Sequence, residues 1–142
     1  MRVQLLHYSA PPVVGGVESV IGQHARLIST DPDGHQVSIL AGRGAQTDPA
    51  VPFINLPLVD SRHPEVMAVK AELDAGLLTD RFQGLVGAIE QELRRCVFNT
   101  DVLIAHNVCS LNKNLALTAA LKKLYDQSGA PRLILWHHDL AW

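Results

Sequence analysis

The chain has 142 residues, 47% of them hydrophobic and 18% charged, with a formal net charge of −2. That length predicts one domain, residues 1–142, with room for a buried core, and that balance excludes a disordered chain, a basic nucleic-acid surface and a polybasic membrane surface. No apolar run reaches the ~18 residues a membrane span needs, and no cleavable signal-like segment precedes the first strand, so a cytoplasmic location is expected.

Residues 3–8 are short, apolar and followed closely by Pro and Gly, which predicts a buried strand. The chain then reads Ser9-Ala10-Pro11-Pro12-Val13-Val14-Gly15-Gly16-Val17-Glu18, and a helix pattern starts at once. Val17, Val20, Ile21, His24, Leu27 and Ile28 recur at helical spacing until Asp31-Pro32-Asp33-Gly34 stops them. A strand that enters a helix through paired glycines leaves free backbone N–H groups and the positive end of the helix dipole facing outward, a setting suited to phosphate. Glu18, in the first helical turn, also stabilises that dipole. Neither G-x-G-x-x-G nor G-x-x-x-x-G-K-[ST] occurs, which excludes the dinucleotide fingerprint and the P-loop.

Residues 36–41 predict a second strand, closed by Gly42-Arg43-Gly44, and residues 53–59 a third, which Pro57 confines to an edge or ends early. Pro64 suits the first turn of a helix running on through residues 65–75. A further helix over residues 78–97 carries Phe82, Leu85, Val86, Ile89, Leu93 and Val97 on one stripe. Residues 101–106 form a continuous apolar run of the kind buried on both sheet faces. A helix over residues 110–127, stopped by Gly129 and Pro131, leads to a fifth strand over residues 132–137. Strands alternating with helices predict an α/β fold: a Rossmann-like, three-layer α/β/α domain with a mainly parallel sheet of about five strands.

In such a sheet, ligands bind beyond the carboxyl ends of the strands. The predicted strand ends are His7-Tyr8, Gly42-Arg43-Gly44, His106-Asn107 and His137-His138-Asp139, so four of the seven histidines gather on the rim that carries Gly15 and Gly16. His24 falls on the apolar helical stripe and reads as a core or subunit-contact residue, whereas His35 and His63 read as surface residues. No metal site is expected. Asp31-x-Asp33 lies on the opposite rim, and adjacent residues of an extended chain, such as His137, His138 and Asp139, point to opposite sides rather than at one ion. Cys96 and Cys109 lack C-x-x-C spacing and read as reduced, small apolar residues.

The order strand, Gly15-Gly16-Val17-Glu18, helix, Gly34-His35-Gln36-Val37-Ser38-Ile39-Leu40, Leu103-Ile104-Ala105-His106-Asn107 and Trp136-His137-His138-Asp139-Leu140-Ala141-Trp142 resembles the amino-terminal domain of group 1 glycosyltransferases, the family 4 retaining enzymes of the GT-B fold. The resemblance spans essentially the whole chain. It implies an acceptor-side domain that works across a cleft from a second Rossmann-like domain, which binds the nucleotide-sugar donor and carries a basic pair and an E-x7-E element. Glu65, Glu72, Glu90 and Glu92 do not fit that element, so the carboxyl-terminal domain is expected to be missing and the isolated chain to be inactive.

The resemblance further implies that the backbone at Gly15 and Gly16 approaches the donor phosphate or sugar. His138 faces the transferring sugar with catalytic effect, and Asp139 orients acceptor or loop. His106, Asn107 and Glu18 line the acceptor side. The family needs no cofactor or obligatory metal. Its partners are a nucleotide-sugar donor and a sugar or other hydroxyl acceptor, and acceptor choice is expected to rest on loops such as residues 46–52 and 60–64. With later chain absent, self-association through Trp136 and Trp142 is expected. The alternative reading is a non-catalytic Rossmann-like ligand-binding or regulatory module.

Overall fold

The computed structural model describes residues 1–139. Five strands, β1 (Arg2–Ser9), β2 (Gln36–Arg43), β3 (Phe53–Asn55), β4 (Val102–His106) and β5 (Arg132–Trp136), form one sheet in the order β3-β2-β1-β4-β5. Every pairing is parallel. Four helices cover it: α1 (Gly16–Ser29), α2 (Pro64–Asp74), α3 (Asp80–Val97) and α4 (Leu115–Tyr125). The chain steps outward from β1 to β3 and then crosses back to lay β4 on the other side of β1. The strand order therefore reverses between β1 and β4, and the crevice outside their carboxyl ends is the place where an α/β sheet of this kind binds ligands. The fold is a Rossmann-like, three-layer α/β/α domain, as the alternation of elements predicts.

Side-chain alternation divides the core into two. On one face Leu6, Tyr8, Leu40, Leu103 and Ala105 pack beneath α2, α3 and α4, with Leu85, Val86, Ile89, Leu93 and Val97 supplying the predicted stripe of α3. On the other, Val3, Leu5, Val37, Ile39 and Ala41 pack beneath α1, which buries Ile21 and Ala25. The α1 stripe is thus rotated from the predicted one, and Leu27 is exposed. No helix among the described residues is long and apolar enough to cross a membrane.

Several element boundaries differ from the sequence expectation, with β2 running on through Gly42 and Arg43, and two of the differences have clear physical reasons. Pro57 has no N–H to extend the ladder, so β3 is a three-residue edge strand and the chain turns into a short 3₁₀ segment, Pro57–Val59. The helix expected from residue 110 starts at Leu115, because Asn114 caps it: the side-chain Oδ1 accepts the Leu117 N–H at 3.1 Å. The same amide donates to the carbonyls of Leu58 and Val59 at 3.0 and 3.3 Å, tying the α4 entry to the 3₁₀ segment. Residues 107–114 are thereby free to form the loop that crosses the carboxyl end of β4.

Candidate functional site

The carboxyl ends of β1, β4 and β5 are joined through Asn107. This residue is fully buried and has φ 56°, a left-handed conformation that Asn adopts more readily than most residues. Its N–H donates to the Trp136 carbonyl at 2.9 Å, which ties it to the end of β5. Its side-chain Oδ1 accepts the backbone N–H of His138 at 2.7 Å and of Asp139 at 3.3 Å, while Nδ2 donates to Asp139 Oδ2 at 3.1 Å. The Asn107 amide is therefore spent on holding the turn that presents His138 and Asp139. Beneath it, the Tyr8 hydroxyl lies 3.3–3.5 Å from the carbonyls of Asn107, Val108 and Leu111, and burial pushes its pKa well up, so it stays a neutral donor to that loop.

Three histidines lock together around Trp136. His106 has no exposed surface, and its Nδ1 lies 3.0 Å from Nε2 of the half-buried His138, with the rings stacked at 5.3 Å. Burial is the main force lowering the His106 pKa, to about 3, with nearby His138, His24 and His7 adding to it, so His106 is neutral at physiological pH. His106 Nε2 is buried without a partner among the described residues. The tautomer that leaves no bare N–H there carries the proton on Nδ1 and donates it to His138 Nε2, so the His138 proton resides on Nδ1, as a donor directed away from His106. His24 of α1 packs edge-on against Trp136 at 4.7 Å and lies 5.5 Å from His106. It thus belongs to the site as well as to the helical stripe.

His7, on β1, is buried, and its Nδ1 lies 2.7 Å from the His106 carbonyl. A carbonyl only accepts, so Nδ1 carries the proton and Nε2 remains an acceptor. Desolvation dominates in lowering its pKa, against the opposing pull of that carbonyl and of Glu18.

At the start of α1 the two glycines do different things. Gly15 is extended, and a Cβ there would collide with Glu18 Oε2, because the Glu18 side chain folds back over it. Gly16 faces open space: a Cβ at this position would meet no heavy atom within 4 Å. Glu18 Oε1 accepts the Ser9 hydroxyl at 2.6 Å. Partial burial works to raise the Glu18 pKa, but that bond, one from its own backbone N–H, and nearby His7 and Lys113 hold it below the usual carboxylate range. The amino end of α1 thus holds its own carboxylate where an anion was expected. Beside it the end of β2 is stitched to the following turn: a Cβ on Gly42 would collide with the Asp60 backbone nitrogen, and Arg43 Nε is 3.7 Å from Asp60 Oδ2.

The remaining candidates fall elsewhere. β5 ends at Trp136, one residue earlier than predicted, and His137 is exposed. His63 caps α2, its Nδ1 accepting the Glu65 N–H at 3.2 Å. Glu65 and Glu72 both bind Arg81, which clamps α2 to α3. On the opposite rim, donor atoms of Asp31, Asp33 and His35 lie within 4.8 Å of one another, but Asp31 accepts the Asp33 N–H and His35 Nδ1 lies 3.4 Å from the terminal amine, so these groups also shape their own turn. The sequence does not point to Ser9 and Lys113, which stand beside Glu18, and it marks His24 only as a core or subunit-contact residue. Comparison with protein-family models, curated proteins and solved structures gives no match to the chain.

Proposed function

We propose that the chain is the acceptor-side domain of a retaining glycosyltransferase of GT-B type, which moves a sugar from a nucleotide-sugar donor to an acceptor hydroxyl. The observation that carries this reading is the placement of His138 and Asp139 by Asn107 at the strand-order reversal, across the rim from the glycine-rich start of α1. His106, neutral and without exposed surface, directs the His138 ring so that its Nδ1–H is available to a sugar hydroxyl or to charge developing near the anomeric carbon. Asp139, with one oxygen engaged by Asn107, keeps the other for an acceptor hydroxyl. A donor diphosphate approaches beside Gly16, where space is open, while Glu18, held by the Ser9 hydroxyl, stands on the acceptor side. The nucleotide is held by a second Rossmann-like domain outside these residues, so the chain alone binds donor weakly and does not turn over.

The reading is tested by screening nucleotide-sugar donors against sugar and other hydroxyl acceptors with the complete native protein, following the anomeric proton of the product by NMR. Transfer with retained configuration supports it. Saturable ligand binding with no transfer from any donor supports instead a non-catalytic ligand-binding module.

A further inference from the structure

A cavity of about 480 Å³ lies at the other end of the sheet, against the amino-terminal ends of β1 and β2. Its origin is topological. No helix joins β2 to β3, so this part of the sheet face has only the end of α3 for cover. Cys96 of α3 forms one wall, Pro52 and Ile54 at the edge of the sheet form another, and Gln4 and Ser38 lie between them.

The polar residues there are out of place for a sheet of this kind. Strands of a parallel sheet buried on both faces read as continuous apolar runs. Gln4 and Ser38 break the run side by side, since they are register partners on β1 and β2, and the next residues on the same face, Leu6 and Leu40, are fully buried. Gln4 is only 7% exposed. Its Nε2 donates to the Cys96 carbonyl at 3.1 Å, and its Oε1 is a buried acceptor with no partner among the described residues. A buried acceptor left without a donor is uncommon and costly in a native structure.

The charged side chain in the lining is Arg2, and no Asp or Glu lines the cavity among the described residues. Arg2 forms a loose ion pair with Asp101, Nη2 to Oδ1 at 3.9 Å, and its side chain remains half exposed and able to meet a further anionic group. Arg2 and Gln4 are two residues apart on one face of β1, about 7 Å along the strand. The volume falls within the range of about 300–1,000 Å³ typical of small-molecule sites.

We propose that this cavity binds a small planar organic anion that carries a hydrogen-bond donor at the end opposite its charge. The anionic group meets Arg2, the flat body lies between Ile54 and the Cys96 wall, and the donor meets Gln4 Oε1 after a small turn of the Gln4 amide. The site is independent of the sugar-transfer reading and stands at the opposite end of the strands.

The test is a ¹⁵N–¹H NMR titration of the 142-residue chain with three probes: 4-hydroxybenzoate, benzoate and 4-hydroxybenzamide. With 4-hydroxybenzoate, the backbone amides of Ser38, Ile54 and Cys96 and the Gln4 side-chain NH₂ move together, while those of Asn107 and His138 do not. Benzoate, lacking the donor, binds at least about fivefold more weakly, and so does 4-hydroxybenzamide, lacking the charge. Arg2→Gln removes the advantage of 4-hydroxybenzoate over the benzamide, and Gln4→Met removes its advantage over benzoate. If Gln4→Met does not fold, the benzoate arm and Arg2→Gln decide the matter. Absence of shifts at about 10 mM 4-hydroxybenzoate, equal affinity for all three probes, or shifts confined to the His106 rim overturns the proposal.

Discussion

The two faces of the sheet are built differently. Beneath α2, α3 and α4 the face is sealed over the middle of the sheet: Leu6, Leu40, Leu103, Leu93 and Ile89 have no exposed surface, and α3 and α4 pack side by side over them, leaving the cavity beside Gln4 and Ser38 at the amino-terminal ends of β1 and β2. The α1 face is covered over β1 and β2 but open over β5, where Ile134 is 38% and Trp136 44% exposed. His7, His106 and Trp136 follow the side-chain parity of the open face, and His24 reaches them from α1. Stability is therefore concentrated on one face, while the histidines of the candidate site collect at the rim of the other.

Four perturbations separate the two faces. The largest effect is expected on the sealed one: Leu93→Ala removes a side chain without exposed surface and costs about 2–5 kcal/mol in urea denaturation. A loss below about 1 kcal/mol would show that this face is not the main source of stability.

Asn107→Ala comes next. It deletes the bonds to His138 and Asp139 and places a Cβ residue without a compensating amide at φ 56°, for about 2–3 kcal/mol. Asn107→Gly, which tolerates that φ, loses about 1 kcal/mol less. Equal losses for the two would mean that the left-handed backbone contributes nothing.

Acid is the third perturbation. His106 titrates at about 3 in the folded chain against about 6.5 unfolded, so between those values the unfolded chain binds more protons and stability falls as pH falls. The full contribution is present above about pH 6.5, and His106 alone accounts for about 2 kcal/mol lost by pH 5. His7 and His24, also lowered by burial, act in the same direction. Urea midpoints measured from pH 7.5 to 5 check this, and His106→Phe flattens the slope.

The smallest effect on stability belongs to the open face. Ile134→Thr is expected to cost about 1 kcal/mol and to weaken the self-association expected of the chain, read by sedimentation. A native chain that stays monomeric at high concentration removes the proposed role of this surface. Trp142, expected to take part with Trp136, lies outside the described residues.

Much of this architecture is legible in the sequence because it follows from period alone. The α3 stripe from Leu85 to Val97, the apolar run of β4 and the edge position imposed by Pro57 each follow from one local rule. What is not legible depends on pairing across the fold. Nothing in the helical spacing of His24 distinguishes a core residue from a partner of Trp136, since the two meet only when β5 takes its place beside β4. Asn107 looks like a generic polar strand end, and its role arises from a positive φ and from partners some thirty residues later in the chain. Asn114 stops the helix from extending back to residue 110, and with several Ser and Asn candidates before the apolar run the capping residue is not singled out by the sequence. The folding back of Glu18 over Gly15 is equally hidden, because a first-turn carboxylate satisfies the helix dipole in several rotamers.

We propose that the rim prepared by Asn107 and His106 performs sugar transfer through His138. The most direct test of this proposal is kcat/KM of the complete native protein and of its His138→Ala variant, with the unfolding midpoint of each measured alongside. The half-buried His138 side chain contributes little to the core, so the account predicts an unchanged midpoint and a loss of at least about 100-fold in kcat/KM. An unchanged midpoint with undiminished transfer would contradict it.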